Sequence, residues 1–391
     1  MTKFVKISLA AAVAVAGLNS VASAKPLEEA IKGVDATGYV TYQYNDQNDI
    51  ASSSQSNIYK AGMVLTIPAT DDIKVKLTGT VRGLTQDNSG DANPSTTLEH
   101  ANFVYSGVNN LTVIAGKQAL NTPWTQGSSN IDLTQSGTGV LAMYNAGFAT
   151  IAAGHFVNNS IKNGNQAAGG TEAKVNITAN DLTVAALIVP IAEVATAQVW
   201  YANVGKTSET STLNQGADAL SASIETKIMD LAKLNVTHSE LKAKDYASNK
   251  KQKLTKATLS GKAGPVGLTA AYVKTGKDGG LVAFDSDGSA GFKGFSADLN
   301  GTQDAKAWLL SAKMDIMSNL NLALTHISAD EKKTSSTTDD QDITETYGQL
   351  TYQFAKNLSA YVRYGVYEVE NNVGTKTTDR DRGRLQISYK F

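Results

Sequence analysis

DDIKVKLTGTVRG, residues 71–83, decides how this chain is read. Ile73, Val75, Leu77 and Val81 fall on one side, and Lys74, Lys76, Thr78, Thr80 and Arg82 on the other. A period of two is the mark of a strand whose faces meet different surroundings. LSAYVRYGV, residues 358–366, repeats it: Leu358, Ala360, Val362 and Tyr364 oppose Ser359, Tyr361 and Arg363. RGRLQISYKF, residues 382–391, sets Leu385, Ile387, Tyr389 and Phe391 against Arg384, Gln386, Ser388 and Lys390. The same logic turns Val40, Tyr42 and Tyr44 of GYVTYQY to one face.

Working outward, tight-turn signals stand near Asp71, Asn109, Ala146, Ala192, Met229, Gly264, Ser318 and Asn357. Most are 35–39 residues apart, and each interval holds two alternating runs, one tight turn and one longer polar loop. Nine such units predict eighteen strands. The two wider intervals predict oversized loops at 158–180 and 276–304. A propeller blade of this length needs four short strands, whereas each unit here has two runs long enough to cross a bilayer when tilted. A soluble sandwich needs a second, complementary apolar set, and none is evident. One apolar and one polar face fit lipid outside and water inside, and only a sheet closed on itself satisfies its backbone in hydrocarbon. The fold class is therefore all-β: a transmembrane antiparallel β-barrel with loops folded into the lumen.

Composition agrees. The 391 residues contain no cysteine, which excludes a disulfide scaffold and any thiolate site. With 35 basic and 36 acidic side chains there is no basic excess of the kind a nucleic-acid partner requires. Lys3 and Lys6 precede the apolar run Ile7 to Leu18, followed by Ala22, Ser23 and Ala24. This reads as a secretory signal peptide over 1–24, too short to span a bilayer, and 25–391 as the barrel domain. In the short start after it, Glu28 and Glu29 suit a first helical turn.

Eighteen strands enclose a water-filled channel, so a constriction is expected. The stretch 119–139, with Asp132 as its one acid and Trp124 beside Pro123 as a packing anchor, is the candidate. Alternation turns Lys60, Lys74, Lys76, Arg82, Lys227, Arg363 and Lys390 inward, while Asp132, Asp285, Asp287, Asp339, Asp340 and Asp342 fall in loops. A basic wall facing acidic loops predicts a transverse field and a weak cation preference. Asp285 and Asp287 before Gly288 resemble the start of a calcium loop, but its third acid and distal glutamate are missing, and a turn is the simpler reading. The lysine-rich stretch 240–253 reads as a solvated loop or one touching lipopolysaccharide. His100, His155, His238 and His326 are widely spaced, and neither H-E-x-x-H nor G-x-S-x-G occurs. No enzyme is expected.

PLEEAIKGVDATGYVTYQY (26–44), GKQALNTPW (116–124), AALIVPIAEVATAQVWYA (185–202), GKDGGLVAFDSDGSAGF (276–292) and the aromatic C-terminus resemble the campylobacter-type major outer membrane proteins, the trimeric porins of epsilonproteobacteria. The resemblance implies an eighteen-stranded homotrimeric general diffusion porin in the bacterial outer membrane, with ions and small hydrophilic solutes as cargo. It also implies, in some members, a calcium ion at the constriction, for which no ligand set can be matched here. Two alternatives stay open, a substrate-selective eighteen-stranded porin and a surface adhesin or structural barrel.

Overall fold

The structure, a computed structural model, describes residues 33–50, 52–87, 94–132, 134–161, 180–205, 216–243, 251–285, 287–332 and 340–391. The expected signal peptide, the first-turn acids and Asp339 lie outside them. Eighteen strands form one sheet: β1 (Asp35–Asn48), β2 (Ser53–Pro68), β3 (Ile73–Gln86), β4 (Ser95–Tyr105), β5 (Leu111–Ala119), β6 (Ser136–Asn145), β7 (Thr150–Asn159), β8 (Leu182–Ile191), β9 (Ala195–Val204), β10 (Ala217–Ile228), β11 (Ala232–Ala243), β12 (Lys251–Ala263), β13 (Val266–Thr275), β14 (Lys306–Met317), β15 (Leu320–Glu331), β16 (Gln341–Ala355), β17 (Leu358–Asn371) and β18 (Lys376–Lys390). Each is antiparallel to its sequence neighbours. β1 also pairs with β18, from Tyr39↔Lys390 to Asn48↔Asp381, so the sheet closes into a barrel.

All eight tight turns fall between the strands that the spacing assigns. At the β4–β5 turn Asn110 takes φ 62°, a left-handed conformation that Asn tolerates better than most side chains. Outward residues follow the alternation. Val40, Tyr42, Val362, Tyr364, Ile387, Tyr389 and Phe391 are exposed on the lipid side, and Leu385 shares their face. At the seam the backbone N–H of Gly38 donates to the Phe391 carbonyl (2.8 Å) and that of Phe391 to the Gly38 carbonyl (3.0 Å). The Phe391 ring lies across Gly38 so closely that a Cβ there would strike it, so an aromatic covers a strand glycine.

The interior departs from the expected polar lining. A second apolar set exists: Leu182, Val184, Ala202, Val204, Ala217, Ala219, Leu241, Leu254, Val273, Ala307, Ile327 and Ala329 are buried on the inner wall of β8–β15. They pack on Val282, Phe284, Phe292, Ala297 and Leu299 of the loop between β13 and β14, which has turned into the lumen. Burying one such large side chain stabilises by about 1.5–3 kcal/mol, so this loop is a plug with its own core. On the opposite side, a polar chamber lies against β1, β2, β17 and β18.

Candidate functional site

Two inward loops meet inside the barrel. The first, residues 120–135, follows β5; the second, residues 276–305, follows β13. Trp124, fully buried, packs on Phe284 with ring centroids 5.9 Å apart. The Trp124 carbonyl accepts N–H bonds from Phe284 (2.8 Å) and Asp285 (3.0 Å), and the Pro123 carbonyl accepts one from Ala290 (2.7 Å). Gln135 Nε2 donates to Asp285 Oδ2 at 2.5 Å.

Each loop is also tied to the wall. Lys60, 0% exposed, donates from Nζ to the carbonyls of Ser129 (2.9 Å) and Asp132 (2.8 Å) and pairs with Glu99 at 2.9 Å. Arg82 Nε donates to the Ile131 carbonyl at 2.9 Å. Glu99 reaches Lys60 because of a β-bulge: His100 pairs with Thr78 and Leu98 with Gly79, so Glu99 has no partner opposite it and turns inward beside His100. On the other loop, Glu345 accepts backbone N–H bonds from Phe295 (2.9 Å), Ser296 (2.5 Å) and Ala297 (3.3 Å). Consecutive amides converging on one carboxylate form an anion nest. A Cβ at Gly294 would collide with the Glu345 carboxylate, so this approach needs glycine.

Beside this nest lies a polar chamber of about 540 Å³. Its wall side carries Arg363, Arg382 and Arg384 with Gln43, Asn45, Gln47, Ser54 and Ser56; its loop side carries Asp132, Asp285, Asp287 and Lys293. The three guanidinium groups surround the Phe295 ring at 4.9, 4.4 and 5.1 Å from its centroid. Arg363 donates from Nε and Nη2 to Gln349 Oε1 (2.8 and 2.6 Å), Arg384 from Nε to Asn45 Oδ1 (2.7 Å), and Arg382 to the Phe295 carbonyl. These bonds and the shared ring hold the three like charges in place. Burial pushes the Asp298 carboxyl of the second loop up to about 6; Asp287 and Asp285 add to the rise, and the Asn300 N–H and Lys293 oppose it.

The residues singled out in the sequence separate into groups. Asp132, Asp285, Asp287 and Arg363 come together at the chamber. Lys60 does not border open lumen, because the first loop lies over it, and Arg82 is drawn to that same loop's backbone. Lys74 and Lys76 share Arg82's inward face but lie toward the tight-turn end of β3, and Lys227 sits at the equivalent end of β10. Leu385, Ile387, Tyr389 and Phe391 face outward along the seam. Asp342 lies in β16 rather than in a loop. The alternation of RGRLQISYKF turns Arg384 to the inner side, and Arg382 shares its parity, but nothing local in the sequence shows what stands opposite them. Asp285 and Asp287 do not fit calcium as they stand. Asp285 accepts the Asp287 N–H (2.8 Å) and the Gln135 amide, and Asp287 is paired with Lys293 at 3.0 Å, where a cation ligand set would need free oxygens. Among the described residues no three His, Asp or Glu side chains are grouped so as to hold a metal ion. Of the histidines, His155, His238 and His326 face outward, within 2.7–2.9 Å of Thr183, Thr255 and Thr346.

The barrel resembles solved structures from Pseudomonas aeruginosa: OpdQ (TM-score 0.72, 15% identity, 92% of this chain and 99% of that one) and OccK2 (OpdF), also solved in complex with glucuronate (0.72, 16%, 92% and 98%). OccK5 (OpdH) is similar too (0.69, 14%, 91% and 98%). These likenesses speak for the fold. No curated protein matches the sequence. The sequence profile described as Campylobacter major outer membrane protein matches residues 2–391, the eighteen-stranded barrel is the shape of an outer-membrane porin, and the chain belongs to that family.

Proposed function

We propose that this outer-membrane porin is a passive, general route for ions and small hydrophilic solutes, working as a homotrimer among outer-membrane lipid and lipopolysaccharide. No reaction and no resident cofactor enter this reading. The observation that carries it is the 540 Å³ chamber, in which three wall arginines and Lys293 stand beside Asp132, Asp285 and Asp287, with Glu345 beneath them. Nearly balanced charge on separate surfaces orients a dipolar solute and selects weakly by ion sign. The carboxylates sit on the loops that narrow the passage, so a weak cation preference is expected.

Reversal potentials in a KCl gradient test the site. Asp132→Asn should lower the cation preference and Arg384→Gln should raise it; identical values in wild type and both variants would remove the chamber from the conducting path.

A second reading, a pore selective for carboxylated solutes, is favoured by the clustering of Arg363, Arg382 and Arg384 around one ring, and OccK2 with glucuronate offers a parallel on a similar fold. Liposome swelling separates the two. A general pore admits neutral sugars and uronates of equal size alike, whereas a selective one rejects the neutral sugars.

A further inference from the structure

At the end of the barrel that carries the long loops, the outer surface changes character from one arc to the next. On β11–β14 the residues Lys242, Lys251, Lys253, Lys274 and Lys306 are all exposed. Their alternate neighbours Leu241, Gln252, Leu254, Val273 and Ala307 are buried on the inner side, which turns the lysines outward. Lys242 stands directly across from Lys251, and Lys274 directly across from Lys306. Like charges in opposed positions destabilise a strand pair, and here the arrangement occurs on two adjacent hairpins. Nearby acids offset it only in part: Glu240 binds Lys251 (3.0 Å) and Lys253 (3.2 Å), while Asp218 and Asp330 stand opposite Lys242 and Lys306. Five cations meet three carboxylates.

Two residues nearer the barrel's middle than Lys274 and Lys306 are Tyr272 and Trp308, register partners that both face outward. Outward aromatic residues mark the membrane–water interface, so the lysines stand at the level of lipid headgroups. Below the aromatics the wall is indented. Small Ala257 and Ala270 lie among Leu234, Leu259 and Leu310, leaving an apolar groove of about 440 Å³ that Tyr272 and Trp308 cap. The arc formed by β16–β18 is built the other way. Asp342 faces Glu370 and Glu368 faces Asp379, with Lys376 bridging the latter pair.

We propose that the β11–β14 face is a binding site for a phosphorylated glycolipid of the outer leaflet, its phosphates held by the opposed lysine pairs and an acyl chain in the groove below. The site rests on the outer-membrane reading and adds to it a place and a chemistry. Charge complementarity selects the headgroup, and the groove directly beneath selects an amphiphile over a free anion. The β16–β18 arc repels the same headgroup.

The full chain, purified in mild detergent, is titrated with bisphosphorylated lipid A, and bound lipid is counted by native mass spectrometry. Lys274→Gln with Lys306→Gln should weaken binding on the order of tenfold. Ala270→Trp, which fills the groove without changing charge, should weaken it comparably, and Lys376→Gln should leave it unchanged. Equal binding of a fully dephosphorylated glycolipid would overturn the proposal, as would full displacement by inorganic phosphate or undiminished binding to the double lysine variant. Conductance of the same preparations in planar bilayers is read separately. A non-conducting wild type would count against the channel and leave the lipid result standing, while conducting variants with unchanged lipid binding would sink the lipid site alone.

Discussion

The two inward loops are fastened differently. The first, 120–135, offers backbone carbonyls, and the wall answers with cations: Lys60 on Ser129 and Asp132, Arg82 on Ile131. The second, 276–305, is gripped through groups of both kinds: its amides at 295–297 meet the Glu345 carboxylate, while Lys256 donates to the Ser289 (3.0 Å) and Gly291 (2.8 Å) carbonyls and Arg382 to that of Phe295. It also has an apolar core of its own, whereas the first contributes mainly Leu120 and Trp124. A short loop with little to bury is therefore held by charge, and a long one by packing, with charge setting the position of its tip. Trp124 and Phe284 couple the two.

The coupling gives the largest expected effect. Trp124→Ala removes the fully buried ring that both loops share and should cost about 3–5 kcal/mol, with larger and noisier single-channel conductance. Conductance steps as uniform as those of wild type would show that the loops are positioned independently. Lys60→Met comes next: it leaves Glu99 buried without its cation, a loss of about 3–5 kcal/mol at the upper end for such pairs. Lys60→Met combined with Glu99→Leu should recover most of the stability in a heat-modifiability assay yet leave the first loop loose. If both variants melt alike, the pair does not fasten that loop. Glu345→Gln is expected to cost less, about 1–3 kcal/mol, because the amide oxygen can still accept the Phe295 and Ala297 N–H bonds that meet at one carboxylate oxygen, and only the Ser296 bond is lost. Its mark should be a shift in rotational freedom at a spin label on residue 296, with none on residue 129.

The smallest effect concerns pH, and it divides the loops most sharply. The folded-state pKa of Asp298, about 6, lies above the ordinary carboxylate value near 4, so folding is favoured by protonation. That stabilisation is fully present below about pH 4 and is lost as pH rises through 6. Docking of the second loop, followed by protease cleavage within 276–305, should therefore loosen from pH 4 to 7, and Asp298→Asn should abolish the trend. A trend that persists in Asp298→Asn would assign it to another group.

The barrel is legible because lipid and water impose alternation on strands such as β3, β17 and β18, and tight turns recur between the hairpins. Residues 71–83 and 382–391 carry that pattern unaided. The plug was not legible. Its signal was present in β8, LTVAALIVPI, which is apolar on both faces, and in the paired inward alanines Ala217 and Ala219. An apolar inner face makes sense only with something apolar inside it, and GLVAF in the 276–292 stretch supplied that partner from a distant part of the chain. At the chamber, parity could turn Arg384 inward but not bring it to Phe295, which no local pattern places there. The burial of Lys60 is hidden for a related reason: alternation tells which side a residue is on, and a loop crossing that side then decides between exposure and burial.

Two of the bonds near the chamber cross from the last strand to the first hairpin: Arg384 to Asn45, and Arg380 to Asp49 at 2.9 Å. The arginine wall stands on β17 and β18, immediately beside the seam. A sheet whose ends had not yet met would have a gap beside the arginines and no Asn45 to orient Arg384. The chamber and the closed wall thus come into being in one event. For a barrel set into a membrane that serves as a barrier, sealing the ring and completing the chamber are a single act of assembly.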